Sequence, residues 1–123
     1  MSELLKDKKL LIIDDEIDFA KVLSWDFNDC GMKVQLASSG LEAISILESH
    51  SFDFILSDIE MPNGNGVDVL TFVKERELNE SHFFFMTGYT EREESDLLEL
   101  GMIKLFKKPI NTTKVMEEFL KNQ

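Results

Sequence analysis

Short apolar runs of strand length alternate with stretches of helical periodicity along this chain. The apolar runs occupy residues 10–13, 34–37, 52–56, 83–86 and 103–106. The first, third and fourth are almost continuously apolar, which is typical of strands buried on both faces of a parallel sheet. Between the runs, apolar residues recur at the i, i+3, i+4 spacing of amphipathic helices. The pattern therefore predicts five strands, each followed by a helix.

Helix signals define the boundaries of several of these elements. Phe19, Val22, Leu23 and Phe27 form the apolar stripe of the first predicted helix, and Gly31 is a plausible stop. Residues 39–42 and 90–93 both have the pattern of a capping box, so the fourth helix is predicted to begin after residue 93. We expect Trp25 and the three phenylalanines at 83–85 to belong to the core.

Strand–helix alternation predicts an α/β protein with a parallel sheet, covered by helices on both faces through right-handed crossovers. A length of 123 residues suits a single domain, which we assign to residues 1–123. Open sheets of this class place their sites at the carboxyl ends of the strands. The chemistry of the chain is therefore sought at those ends.

Four predicted strands end in residues that carry chemistry. The first is followed by Asp14 and Asp15, the third by Asp58, the fourth by Thr87 and the fifth by Lys108. Crowded carboxylates raise one another's pKa unless a cation holds them, and a small set of oxygen ligands suits Mg²⁺. A carboxylate can also act as a nucleophile that forms an acyl phosphate. These ends predict a metal-assisted phosphoryl-transfer site.

Charge and composition bear on the partners and the location of the protein. The formal net charge of −11 disfavours nucleic acid as a direct partner, because an acidic surface repels phosphate backbones. No apolar run approaches the roughly 20 residues that span a bilayer, so no membrane insertion is expected. Residues 1–9 are charged and lack the apolar stretch of a secretory signal, so we expect a cytoplasmic protein. Cys30 is the only cysteine, which excludes an internal disulfide.

Taken in order, residues 11–16 (LIIDDE), residues 58–62 (DIEMP), Gly66, residues 87–88 (TG) and residues 108–109 (KP) resemble the receiver domain of two-component response regulators. The resemblance extends over roughly residues 9–120. It implies a flavodoxin-like, doubly wound (βα)5 fold, with a five-stranded parallel sheet of order 2-1-3-4-5.

The resemblance also implies roles for the acidic residues. Asp58 matches the phospho-acceptor, and Asp14 and Asp15 match the acidic pair that positions a metal ion, with Asp15 the expected direct ligand. Asp58 itself and the backbone carbonyl of Glu60 would complete the ligands. The implied ion is Mg²⁺, for which Mn²⁺ could substitute.

Two further residues match the family's phosphoryl-binding positions. Thr87 resembles the hydroxyl residue that hydrogen-bonds a phosphoryl oxygen, and Lys108 resembles the lysine that pairs with the phosphoryl group. Lys107 is set aside because the family lysine directly precedes the proline. In the family that Lys–Pro bond is often cis.

The chain departs from the family pattern near this site. The position that often holds a rotating tyrosine or phenylalanine is Leu105, which puts aromatic-switch coupling in doubt. The family positions that tune phosphoryl lifetime hold Glu60 and Tyr89. A carboxylate at residue 60 could either orient or repel an attacking water.

The function implied is a phosphorylation switch rather than a metabolic enzyme, although it would catalyse its own phosphorylation and dephosphorylation. A histidine kinase or a phosphotransfer protein would supply the phosphoryl group. A downstream protein would bind the face formed by the fourth helix, the fifth strand and the fifth helix. The expected oligomeric state is a monomer or a weak, phosphorylation-dependent dimer.

Two alternatives remain open from the residues. One is a receiver-like interaction module that works without phosphorylation, and the other is a small-molecule phosphoaspartate hydrolase with Glu60 as its second carboxylate. The hydrolase would need a substrate cap, for which 123 residues leave no room. Because residue 123 directly follows the last predicted helix, we expect a stand-alone regulator or a receiver cut from a longer protein, and the first is favoured.

Overall fold

The computed structural model describes residues 2–123, in which strands and helices alternate. The strands are β1 (Lys9–Ile13), β2 (Lys33–Ala37), β3 (Phe54–Asp58), β4 (His82–Thr87) and β5 (Lys104–Lys107). The helices are α1 (Ser2–Leu5), α2 (Ile17–Asp29), α3 (Gly40–Leu47), α4 (Gly66–Glu75), α5 (Glu94–Leu100) and α6 (Thr112–Lys121). All five strands are parallel and lie in the order β2-β1-β3-β4-β5, which confirms the flavodoxin-like fold. Within residues 2–123, no helix combines the length and apolar character needed to cross a membrane.

Alternation along the central strands divides the core into two layers, because successive strand residues point to opposite faces of a sheet. Ile13, Phe83 and Phe85 pack with α3, α4 and α5 on one face. Ile12 and Phe84 pack with α1, α2 and α6 on the other. The expectation that the three phenylalanines of β4 belong to the core is therefore confirmed, and helices cover both faces as predicted.

Helix α2 exposes two residues that the sequence pattern placed inside. Trp25 is 61% exposed and Val22 is 55% exposed, so the core assignment of Trp25 and the place of Val22 in the apolar stripe are wrong. The buried positions of α2 include Ala20, Leu23 and Phe27, which are three and four residues apart. Trp25 lies two residues beyond Leu23, and at 100° per residue this turns its side chain away from the core.

The ends of the other elements also differ from the predictions. Strand β3 begins at Phe54, two residues later than predicted, although the Phe52 side chain is buried. The short helix α1 was not predicted, and its Leu5 is fully buried under the sheet. The fourth and fifth predicted helices are therefore α5 and α6.

Helix caps confirm one prediction and correct another. Ser39 Oγ accepts a hydrogen bond from the Glu42 amide and caps α3, as predicted. Helix α5 does begin at Glu94, after the predicted boundary, but no side chain caps it. Thr90, the expected cap, instead accepts from the Arg92 amide through its hydroxyl. The complete capping box belongs to α4, where Asn65 and Asp68 exchange hydrogen bonds, and it was not predicted.

Candidate functional site

The carboxyl end of β1 delivers a buried carboxylate to the top of the sheet. Asp14 directly follows the strand, has no exposed surface, and donates its backbone N–H to the Ala37 carbonyl beside it. Its Oδ1 accepts from the Glu16 amide at 2.9 Å, and its Oδ2 accepts from Lys108 Nζ at 2.9 Å. The Asp14 carboxylate therefore pairs with Lys108 at the strand ends. It does not cap α2, whose N-cap is Glu16.

Asp58 is the last residue of β3 and is 7% exposed. Its Oδ1 accepts a hydrogen bond from the Ile59 amide at 2.8 Å, and its Oδ2 accepts from Lys108 Nζ at 3.3 Å. Burial raises the pKa of the Asp58 carboxyl from 3.8 to about 6, and the Asp14 charge adds to the rise while Lys108 opposes it. At neutral pH the carboxylate is thus mostly ionised although it is poorly exposed to solvent.

Lys108 follows β5 and joins the two carboxylates. Its backbone N–H donates to the Thr87 carbonyl at 2.9 Å, and the peptide bond to Pro109 is cis. Burial alone would lower the pKa of the ammonium, but the hydrogen bond to Asp14 and the charge of Asp58 raise the pKa above its ordinary value. Lys107 is exposed, so Lys108 is the lysine that enters the cluster.

Asp15 completes an oxygen-rich group suited to a hard cation. It is exposed, and one carboxylate oxygen from each of Asp14, Asp15 and Asp58 lies within 4.8 Å of the others. With one ammonium nearby, three ionised carboxylates leave a formal local charge of −2. Oxygen donors in this number fit Mg²⁺, which binds through few protein ligands and keeps several waters.

Thr87 ends β4 beside this cluster and is 4% exposed. Its hydroxyl donates to the Tyr89 carbonyl at 2.8 Å, so it is engaged within its own loop. The Tyr89 side chain is 73% exposed, and the half-buried Leu105 packs against the core layer of α3, α4 and α5. Thr87, Tyr89 and Leu105 line a cavity of about 310 Å³. Leu105 therefore places an aliphatic side chain in this cavity, at the position where the family often has a rotating tyrosine or phenylalanine.

The Glu60 side chain lies in a contact that sequence patterns did not indicate. Its Oε2 accepts from Thr90 Oγ1 at 2.9 Å and lies 3.4 Å from Arg92 Nε. These bonds link the loop after β3 to the loop after β4. No local motif identifies a partner 30 residues away, and the apparent capping box at residues 90–93 pointed elsewhere.

Gly66 brings backbone close to the acidic residue of β3. A Cβ at this position would lie 2.2 Å from the Asp58 carbonyl oxygen and 2.6 Å from Phe85 Cε1. Its amide donates to the Ile59 carbonyl at 2.8 Å. The loop after β3 therefore returns against the strand end, a packing that only a residue without a side chain permits.

Comparison with protein families and with curated proteins gives the same family. The family described as "Response regulator receiver domain" matches residues 10–120. The response regulator SaeR of Staphylococcus aureus is 37% identical over 103 residues, which cover 83% of this chain and 44% of SaeR. The chain therefore spans less than half the length of the curated relatives it matches.

Solved structures agree in fold. The chemotaxis response regulator CheY4 of Vibrio cholerae superimposes with a TM-score of 0.84 at 24% identity, covering 96% of this chain and all of CheY4. The response regulator TrrA of Thermotoga maritima, solved in complex with Mg²⁺-BeF, has a TM-score of 0.83 at 25% identity and covers 94% and 99% of the two chains.

Proposed function

Because this chain belongs to the response regulator receiver family, a class of phospho-acceptor switches in two-component signalling, we propose that it accepts a phosphoryl group on Asp58 in a Mg²⁺-dependent reaction. The observation that carries the proposal is the position of the Asp58 carboxylate. It lies at a strand end, 3.3 Å from the Lys108 ammonium and within 4.8 Å of the oxygens of Asp14 and Asp15.

In the proposed step, a carboxylate oxygen of Asp58 attacks the phosphorus of the donor in line. The new O–P bond forms as the bond from phosphorus to the donor's leaving atom breaks, and the leaving group takes that electron pair. The product is an acyl phosphate on Asp58. Because its pKa of about 6 lies below neutral pH, the nucleophile would be mostly ionised, while its burial limits solvation by water.

Asp14, Asp15 and Asp58, together with the backbone carbonyl of Glu60, would hold the metal ion. When bound, Mg²⁺ or Mn²⁺ would neutralise charge on the carboxylates and on the transferring group. The excess of carboxylates over the Lys108 ammonium supports this assignment, because a bound cation would offset their negative charge. The relative TrrA was solved in complex with Mg²⁺-BeF, which supports Mg²⁺ as the ion.

Lys108 and Thr87 would then bind the phosphoryl oxygens. The ammonium already donates to Asp58 and would follow the new negative charge. The Thr87 hydroxyl would exchange its bond to the Tyr89 carbonyl for one to the phosphoryl group. That exchange would move the loop after β4 and bias a two-state equilibrium in α5.

The partners proposed follow from the family and the surface. A histidine kinase or a phosphotransfer protein would supply the phosphoryl group in the cytoplasm, and a downstream protein would bind the face of α5, β5 and α6. Leu98 and Leu100 of α5 are 48% and 42% exposed, so this helix presents apolar side chains to solvent. The free protein would be a monomer or a weak dimer whose association depends on phosphorylation.

The test is intact-protein mass after incubation with acetyl phosphate and Mg²⁺. We expect a gain of about 80 Da that disappears with a chelator and in Asp58→Asn. Asp53→Asn is the matched control, because Asp53 precedes the same strand at its far end and should leave the gain intact. No gain from acetyl phosphate or from a kinase would favour the module that works without phosphorylation. A gain that persists in Asp58→Asn would place the acceptor elsewhere.

A further inference from the structure

An aromatic ring lies against the lysine of the site. Lys108 Nζ is 4.5 Å from the centroid of the Phe19 ring, which belongs to the first turn of α2. Phe19 is half-buried and packs against the core layer of α1, α2 and α6. The ring thus packs against the core, whereas the lysine reaches it from the loop after β5. This distance is within the range of cation–π attraction.

The ring differs in one important respect from the other partners of this ammonium. Asp14 and Asp58 each accept a hydrogen bond from it, and Glu16 Oε1 lies 4.0 Å away. Those three partners carry negative charge, which would repel an incoming phosphoryl group. An aromatic face attracts the cation without adding a net charge or taking up a carboxylate bond. It can hold the ammonium in place while leaving donor capacity for phosphoryl oxygens.

We propose that Phe19 is a positioning residue that holds the Lys108 ammonium beside Asp58. The inference rests on the proposed function, since it assigns Phe19 a part in the same phosphoryl transfer. Phe19 does not contact the transferring group and acts through Lys108. The lysine side chain has four rotatable bonds and can adopt many conformations. Contact with the ring would restrict the ammonium to the orientation that productive transfer needs.

The test compares Phe19→Leu, which keeps apolar bulk but removes the ring, with Phe19→Tyr, which keeps the ring. The chain offers a matched control in Phe72, a half-buried phenylalanine of α4 whose ring lies 4.7 Å from the Arg76 guanidinium. Phe72→Leu removes a pair of the same kind outside the site. We expect the rate of phosphorylation by acetyl phosphate to fall at least about threefold in Phe19→Leu. The rate should stay within about twofold of wild type in Phe19→Tyr and Phe72→Leu.

A spectroscopic measurement separates positioning from a general packing defect. Protons above an aromatic face shift upfield, so the ε-methylene signal of Lys108, assigned by its loss in Lys108→Arg, should lie upfield in wild type and in Phe19→Tyr. It should return to the ordinary lysine position in Phe19→Leu and remain upfield in Phe72→Leu.

The outcomes are distinguishable. Equal phosphorylation rates in wild type and Phe19→Leu, or an ε-methylene signal that does not respond to loss of the ring, would overturn the positioning role alone. Equal slowing in Phe19→Leu and Phe19→Tyr would also overturn it, because the ring would not be the cause. A wild-type protein that never gains a phosphoryl group would overturn the proposed function and this inference together.

Discussion

Thr90 Oγ1 donates a 2.9 Å hydrogen bond to the Glu60 carboxylate and thereby joins the loop after β4 to the loop after β3. The same Glu60 oxygen lies 3.4 Å from Arg92 Nε, and both charged side chains are exposed. Solvent screens such pairs, so their contribution to global stability is small. Their effect is expected in the local mobility of the loop after β4.

Thr90→Val should therefore loosen that loop without unfolding the protein. We expect faster amide exchange in residues 88–93, with a loss of less than about 1 kcal/mol in the free energy of unfolding. Hydrogen exchange followed by mass spectrometry measures the first quantity. Thr71→Val, an exposed change on α4, is the control. Unchanged exchange in residues 88–93 would show that the Glu60 contact does not restrain the loop.

Lys108→Met should destabilise the metal-free protein. The substitution leaves the buried carboxylates of Asp14 and Asp58 without their ammonium, and an uncompensated buried charge is costly. We expect the free energy of unfolding in urea with a chelator to fall by about 2 to 4 kcal/mol. Added Mg²⁺ should restore part of this loss by supplying positive charge. Lys107→Met, an exposed change, should have little effect, and equal stabilities of the two variants would contradict the prediction.

Asp58 should make the stability of the metal-free protein depend on pH. Its pKa is about 6 in the folded state against 3.8 without burial, so the native state binds a proton that the unfolded state has released between these values. Stability from this group is full below about pH 4 and is lost as pH rises through about 6. Asp58→Asn lacks this loss. In chelator we expect the variant to gain about 1 to 3 kcal/mol over wild type between pH 4 and pH 7. If the free energy of unfolding varied with pH in the same way in wild type and Asp58→Asn, the raised pKa of Asp58 would be excluded.

Gly66→Ala should be destabilising even though alanine is the better helix former. The replacement would gain up to about 1 kcal/mol from backbone entropy, whereas the added Cβ would meet the Asp58 carbonyl oxygen at 2.2 Å. Overpacking against backbone commonly costs about 1 to 3 kcal/mol, so the clash should win. Gly88→Ala is the control, since a Cβ there meets nothing within 4 Å. Thermal unfolding of both variants decides the sign.

The strands and their end residues could be predicted because burial on both faces leaves a strong signal. β1, β3 and β4 are nearly continuous apolar runs, and the residues that follow a parallel strand must emerge at the same edge. That is why Asp14, Asp58, Thr87 and Lys108 were found at the positions where the structure brings them together. The strand order came from the family resemblance rather than from the runs themselves.

The mispredicted features depend on contacts that local patterns do not contain. Trp25 is apolar, yet its angular position on α2 faces solvent. The prediction that it lies in the core followed its residue type and ignored its position around the helix axis. Thr90 has the spacing of a cap, but its hydroxyl lies against Glu60 from another loop. The ring of Phe19 against Lys108 joins residues from opposite ends of the chain, and periodicity marks Phe19 only as part of an apolar stripe.

The hydrogen bond between Lys108 and Asp14 spans 94 positions along the chain, and the one between Lys108 and Asp58 spans 50. A growing polypeptide on the ribosome therefore carries all its site carboxylates long before it carries the lysine that pairs with them. Until β5 has been synthesised and added to the sheet edge, Asp58 has no ammonium beside it. On the proposed function, the phosphoryl-accepting site is therefore complete only after β5 has joined the sheet.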